Sequence, residues 1–327
     1  MQRSRRLRNG QAAGGMKWLA MAVLAPLSGC HKATPTIAAI PRTCGTLLWE
    51  AEHTGVQRVA SADGYKVYWN APMREDDVQA QIEVLTGAIS RGVEGVIISP
   101  VEALPLRTPV HRALESGILV VVVGTDLGLT KDRQLAYVLN DERKGGQLAA
   151  RHIGEILHSQ GTVAVMGISN QLTSTAERVR SLETTLAEEF PRIHVVFRSL
   201  ALPTVSQEQQ VAERLLAKNA QIDAIVALTE ASTRGAYYAL TGMDRTSAIR
   251  LVGFDQDLLA PLRTGSIDAI VMQNTYRMGR EAMTLMAEEL HGGTEQSHVQ
   301  LQPLLVTRAN MDSAAVRETL DLSWFSK

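Results

Sequence analysis

The side chains with most to offer a ligand stand in short clusters, each closing an apolar run. In the first half these are Trp49-Glu50-Ala51-Glu52, Trp69-Asn70, Ser99-Pro100 and Gly124-Thr125-Asp126. In the second half they are Gly167-Ile168-Ser169, Thr229-Glu230, Gly253-Phe254-Asp255 and Gln273-Asn274. Carboxylates accept hydrogen bonds, amides donate and accept, and an aromatic face covers carbon, so such a set suits a small ligand rich in hydroxyls. Taken singly, Asp126, Thr229 and Asp255 suit the capping of a following helix equally well.

Other chemistries find little support. The eight histidines show no metal-ligand spacing, and there is no G-x-S-x-G elbow, no Walker-type phosphate loop and no G-x-G-x-x-G after the first strand. Glu50 and Glu52 would serve as a glycosidase pair only if the fold set the required separation, which adjacency in sequence does not do. The reading is a chain without metal, cofactor or catalytic step. At 327 residues, 45% hydrophobic and 20% charged, it is of globular composition and long enough for two domains.

The elements that must hold these clusters are strands and helices in alternation. Strands are expected at 46–49, 65–69, 95–99, 119–123 and 136–139, then at 162–166, 194–197, 224–227, 251–253 and 269–272. Val96-Ile97-Ile98 and Val120 to Val123 lack polar alternation, so both their faces should be covered. Helical spacing appears at 76–89, 145–158, 176–188, 207–217, 233–240 and 277–290. The pattern is that of parallel βαβ units, an α/β fold in two similar halves. Ligands of such sheets gather at the carboxyl ends of the strands, where the clusters stand.

The first thirty residues differ from the rest. Arg3, Arg5, Arg6, Arg8 and Lys17 precede the apolar run Trp18 to Leu27, and no acidic residue occurs before Cys30, which reads as a signal peptide over residues 1–29. Met16 offers a second possible start. The run is too short to span a bilayer. Its end, Leu27-Ser28-Gly29-Cys30, resembles the bacterial lipobox, which implies cleavage before Cys30 and a lipid anchor to a membrane on that residue. Residues 30–43 then read as lipidated Cys and linker, with the fold starting near Cys44. Loss of residues 1–29 leaves 28 Lys plus Arg against 34 Asp plus Glu, a net charge of −6 that disfavours nucleic acid as a partner. Cys44 alone remains, so no internal disulfide is available.

Five landmarks come in one order: Val122 to Asp126 (VVGTD), Asn140-Asp141 with Gly145-Gly146, Arg178, Ala227 to Gly235 (ALTEASTRG) and Gly253-Phe254-Asp255. On these the chain, from about Cys44 to Leu305, resembles the type I periplasmic binding proteins of the ribose and galactose kind. The resemblance implies two Rossmann-like parallel-sheet lobes joined by three hinge crossovers. It divides the chain into 44–140 plus 274–303 and 141–273 plus 304–327, with hinges near 139–141, 273–274 and 302–304.

The resemblance further implies a monomer that captures a monosaccharide and presents it to the permease subunits of an ABC-type importer. A sensory protein signalling to a membrane receptor remains the alternative. Carried over by position, Asp126 and Arg178 contact the ligand from one side, and Asp255 and Gln273 from the other. Thr229-Glu230 stands where such proteins usually have Asn-Asp. The first loop and helix look shortened, leaving Trp49 and Glu52, or Trp69, to supply what that loop normally does.

Overall fold

Apolarity on both faces of the central runs is answered by helices on both sides. Val96, Ile97, Ile98 and residues 120–123 lie almost wholly out of solvent. The computed structural model describes residues 34–44, 46–130, 133–169, 172–218, 221–254, 258–293 and 298–319, and from Thr34 onward they form one compact unit. The expected signal peptide, the lipobox with Cys30, and Asp255 lie outside the described residues.

The chain first lays down β1 (Thr36–Ile40), α1 (Leu47–Ala62), β2 (Lys66–Trp69), α2 (Val78–Ser90), β3 (Gly95–Ile98), α3 (Ala103–Glu115), β4 (Leu119–Val123) and β5 (Leu135–Asn140). It continues through α4 (Glu142–Ile156), β6 (Gln160–Ile168), α5 (Thr173–Glu189), β7 (Arg192–Leu200), α6 (Val205–Lys218) and β8 (Ala224–Ala227). Next come α7 (Glu230–Gly242), β9 (Arg250–Gly253), α8 (Leu259–Thr264) and β10 (Ala269–Met272). It closes with α9 (Thr275–Leu290), β11 (His298–Leu301), β12 (Leu304–Thr307) and α10 (Ala314–Thr319).

Two six-stranded sheets result, ordered β11-β5-β4-β3-β1-β2 and β12-β10-β9-β8-β6-β7. Among the described residues every strand pair is parallel except β10 with β12. Helices α1 and α9 cover one face of the first sheet and α2 and α3 the other. Helices α4 and α5 cover one face of the second, and α6, α7 and α8 the other. Burial of these apolar faces is the main source of stability, at about 25 cal/mol per Å². None of the helices among the described residues is long and apolar enough to cross a membrane.

The chain passes between the sheets three times: after β5, after β10, and between β11 and β12. The first two passages start helices. Asp141 accepts from the Lys144 amide at 2.9 Å to cap α4, and Asn274 accepts from the Arg277 amide at 2.8 Å to cap α9. A short polar side chain in this place takes up one of the free amides of a helix's first turn.

The start of the fold departs from the sequence reading. The stretch expected to be a linker contains β1, a central strand of the first sheet, and the expected strand at 46–49 is the first turn of α1. Pro35 and Pro41 suggested a tether, but they flank β1 rather than interrupt it. Pro35 stands just before the strand, a place where proline is tolerated, and its carbonyl accepts from the Lys66 amide at 2.9 Å. With α1 running 16 residues, the apparent shortening of the first loop and helix disappears.

Helix α1 packs against α9 through glycine. A Cβ on Gly55 would stand 2.1 Å from the Tyr276 carbonyl oxygen, and one on Gly279 would stand 2.1 Å from that of Glu52. Only residues without a side chain let the two backbones come this close.

Candidate functional site

Nine strand ends converge on one cleft of about 270 Å³ between the sheets. From the first sheet come Arg42 after β1, Glu75 after β2, Val101 after β3 and Gly124 after β4. From the second come Ser169 after β6, Ala201 after β7, Thr229 after β8, Phe254 after β9 and Gln273 after β10. The convergence follows from parallel strands, which all deliver their loops to the same edge.

The first wall is built on Arg42. Its Nε donates to the Pro100 carbonyl at 2.9 Å, and its Nη2 donates to Thr125 Oγ1 at 2.9 Å. The guanidinium carbon lies 5.6 Å from the centre of the Trp49 ring, and Glu75 stands 4.0 Å away. Burial lowers the arginine's pKa, and Glu75 opposes the shift. The group stays charged, because an arginine starts far above neutrality.

The second wall is built on Arg178, only 8% exposed. Its Nε and Nη2 grip both oxygens of Glu142, the second at 3.0 Å, and its Nη1 donates to the Leu228 carbonyl at 2.7 Å. Gln273 Nε2 donates to the same carboxylate at 3.0 Å, so Gln273 stands on the same wall as Arg178 and not on the opposite side as expected. The guanidinium carbon lies 4.6 Å from the centre of the Phe254 ring. A fork of this kind fixes both partners in direction as well as distance. Each wall therefore carries an arginine laid on an aromatic ring, the two rings almost fully buried.

Of the residues expected to bind, the cleft brings together Trp49, Arg178, Thr229, Glu230 and Gln273. Trp49 arrives from the first turn of α1 rather than from a strand end. Thr229 is also the cap of α7, where it forms a reciprocal capping box with Ser232. Glu230 pairs with Arg234 one turn along, at 3.1 Å. Asp126 is exposed in an adjoining hollow that shares Gly124, Glu142 and Ser174 with the cleft, and its Oδ1 accepts from the Gly128 amide at 2.7 Å. Beside it the walls touch, Thr173 Oγ1 donating to the Asp126 carbonyl at 3.5 Å.

Glu52 does not line the cleft. It sits behind the first wall, 1% exposed, where Ser99 Oγ lies 3.0 and 3.1 Å from its two oxygens. Burial raises its pKa to about 7, with Ser99 and Arg42 acting the other way. Trp69 stacks on His53, ring centres 4.2 Å apart, away from the cleft.

Sequence reasoning missed Arg42, Glu142 and Phe254 as cleft residues. Glu142 directly follows the Asn140-Asp141 landmark and Phe254 lies inside the Gly253-Phe254-Asp255 landmark, so both carried a signal. Arg42 carried none while its segment was read as a linker. Among the described residues no cluster of His, Cys, Asp and Glu suits a metal ion.

Residues 37–294 match the family described as periplasmic binding protein domain. The ribose import binding protein of Bacillus subtilis is 25% identical over 276 residues, covering 84% of this chain and 88% of that protein. The D-apiose import binding protein of Paraburkholderia graminis is 23% identical over 312 residues, covering 92% and 98%. A carbohydrate transporter solute binding protein from Agrobacterium radiobacter, solved in complex with D-arabinose, superposes with a TM-score of 0.83 at 22% identity. That match covers 88% of this chain and 99% of the other.

Proposed function

This chain belongs to the periplasmic binding protein family, and from that membership we propose that it captures a monosaccharide between its two sheets for an ABC-type importer, with no catalytic step. The observation that carries the reading is the matched pair of walls, each an arginine held on an aromatic ring by protein acceptors. The directed donors of the two arginines and of Gln273, with the Glu142 carboxylate, suit the hydroxyls and ring oxygen of a pyranose or furanose. The relatives named for ribose and apiose import support the same ligand class.

In this reading Arg42 and Trp49 bind from one wall, and Glu142, Arg178, Phe254 and Gln273 from the other. Asp126, beside the contact between the walls, meets the ligand once they close. Asp141, the 273–274 passage and the 302–303 passage serve as hinges. A ligand touching both walls stabilises the closed arrangement by the difference in its contacts with the two forms. Export through residues 1–29 and acylation of Cys30 would keep the protein at the membrane surface where a permease waits.

The test is a thermal-shift screen of the purified chain against neutral pentoses, hexoses and polyols. A ligand at a hundred times its Kd adds about 2.7 kcal/mol to stability, a rise in Tm of several degrees. At least one monosaccharide is expected to give that rise, and Arg178→Ala is expected to abolish it. A panel without effect would sink the proposal.

A further inference from the structure

Arg42 binds nothing usefully unless its own backbone is fixed, and the loop that carries it has left the sheet. We propose that Gln81 is the positioning residue of the first wall, the group that sets Arg42 and Val101 in place. This rests on the reading of Arg42 as a ligand contact.

Gln81 is the fourth residue of α2 and has no solvent exposure. Its Nε2 donates to the Pro41 carbonyl at 3.1 Å and to the Ser99 carbonyl at 2.9 Å, and its Oε1 accepts from the Val101 amide at 2.8 Å. Both N–H groups and the oxygen are thus spent on peptide groups of two segments that leave the neighbouring strands β1 and β3. Beyond those strands no ladder holds the chain, and buried peptide groups must find partners elsewhere.

Arg42 completes the clasp from the cleft side. It follows Pro41, and its Nε donates to Pro100, the residue between Ser99 and Val101. Ser99 is in turn held through its hydroxyl by Glu52. Gln81 from beneath and Arg42 from above therefore grip the same two segments, so the direction of the guanidinium depends on the amide. Glutamine is well suited to this place: glutamate when ionised lacks the two donors, and an apolar side chain leaves three buried peptide groups unpartnered.

The second half has a weaker counterpart. Glu208 is likewise the fourth residue of its helix, α6, and fully buried. Its Oε1 accepts from the amide of Leu202, a residue of the opposite wall, at 2.8 Å. It ties one segment, whereas Gln81 ties two.

The test uses the full chain with Gln81→Met, Gln81→Glu and, as a control one helical turn along in the same buried face, Leu85→Ala. Hydrogen exchange is read at the Arg42, Thr43 and Val101 amides, and affinity is measured for D-ribose and D-arabinose. Gln81→Met is expected to speed exchange at these amides at least tenfold beyond any global change and to weaken sugar binding at least tenfold. Leu85→Ala is expected to lower Tm yet leave local protection and affinity within twofold. Measured against wild type at the same pH, which removes the stability change that Glu52 itself brings between pH 5 and pH 8, Gln81→Glu is expected to bind poorly at pH 8 and to recover at pH 5, where the protonated acid regains one donor.

Local exchange in Gln81→Met equal to that of the control overturns the proposal. Should Gln81→Met not fold, Arg42 and Thr43 amides of Gln81→Glu whose protection relative to wild type is the same at pH 5 and pH 8, after correction for intrinsic rates, overturn it instead. A wild-type chain that binds neither sugar counts against the ligand reading and leaves the exchange arm to decide on Gln81.

Discussion

Arg178 and Arg42 reach one cleft with their donors already engaged, one by Glu142 and Leu228, the other by Pro100 and Thr125. Preorganised donors of this kind lose little freedom when a ligand arrives. The most consequential titratable group of the first half is set apart from them. Burial holds Glu52 near pKa 7 in the folded chain against an ordinary 4.5, so between those values the folded state binds the extra proton. Stability is therefore highest below about pH 4.5 as far as this group is concerned, and it falls as pH rises through 7, by about 3 kcal/mol in all. Glu52→Gln should remove that slope: between pH 5 and pH 8 wild-type Tm is expected to fall relative to the variant, as followed by circular dichroism. Parallel curves would show that Glu52 ionises normally. At this scale the sequence disclosed the polar ends of strands, because residue type and position sufficed. It did not disclose that Glu52 faces Ser99 instead of the cleft, since the turn of a helix about its axis is set by packing and not by the residue's identity.

Among the elements, central strands such as β3 and β4 were legible, because a run of β-branched residues apolar on both faces has few alternatives. β1 was not, because Thr-Ile-Ala-Ala-Ile between two prolines is short and built of small residues. Nor was α3, which carries Pro109 in its interior, where proline normally breaks a helix. The glycines of the α1–α9 contact make a sharper statement about elements. Gly279→Ala gains about 1 kcal/mol in helix propensity, but its Cβ would meet the Glu52 carbonyl, which yields only if the helices part. Forced repacking of that sort costs roughly 1 to 3 kcal/mol or more, so the loss should win. Gly242→Ala, at the end of α7 with nothing within 4 Å, should instead be neutral or raise Tm slightly. Urea denaturation of the two variants side by side checks the contrast, and a stabilised Gly279→Ala would mean that the helices are not locked together.

For the molecule as a whole, two of the three passages are joined to each other. The Asp141 amide donates to the Leu301 carbonyl at 2.8 Å, and Gln302 Nε2 reaches Asp141 at 3.4 Å, so the first and third passages are tied side by side. Small-angle scattering is expected to show a lower radius of gyration on saturation with a bound sugar, and identical profiles would argue against closure. The threading of these passages also imposes an order on events during synthesis. β11, at one edge of the first sheet, and α9, which seals one of its faces, are made only after every other strand of the second sheet except β12 has left the ribosome. The half that begins first is thus the half that must wait, its core open until residue 301 emerges. A first sheet that lacks an edge strand and one covering helix for most of translation favours the condition in which a polypeptide can still be threaded through a narrow pore.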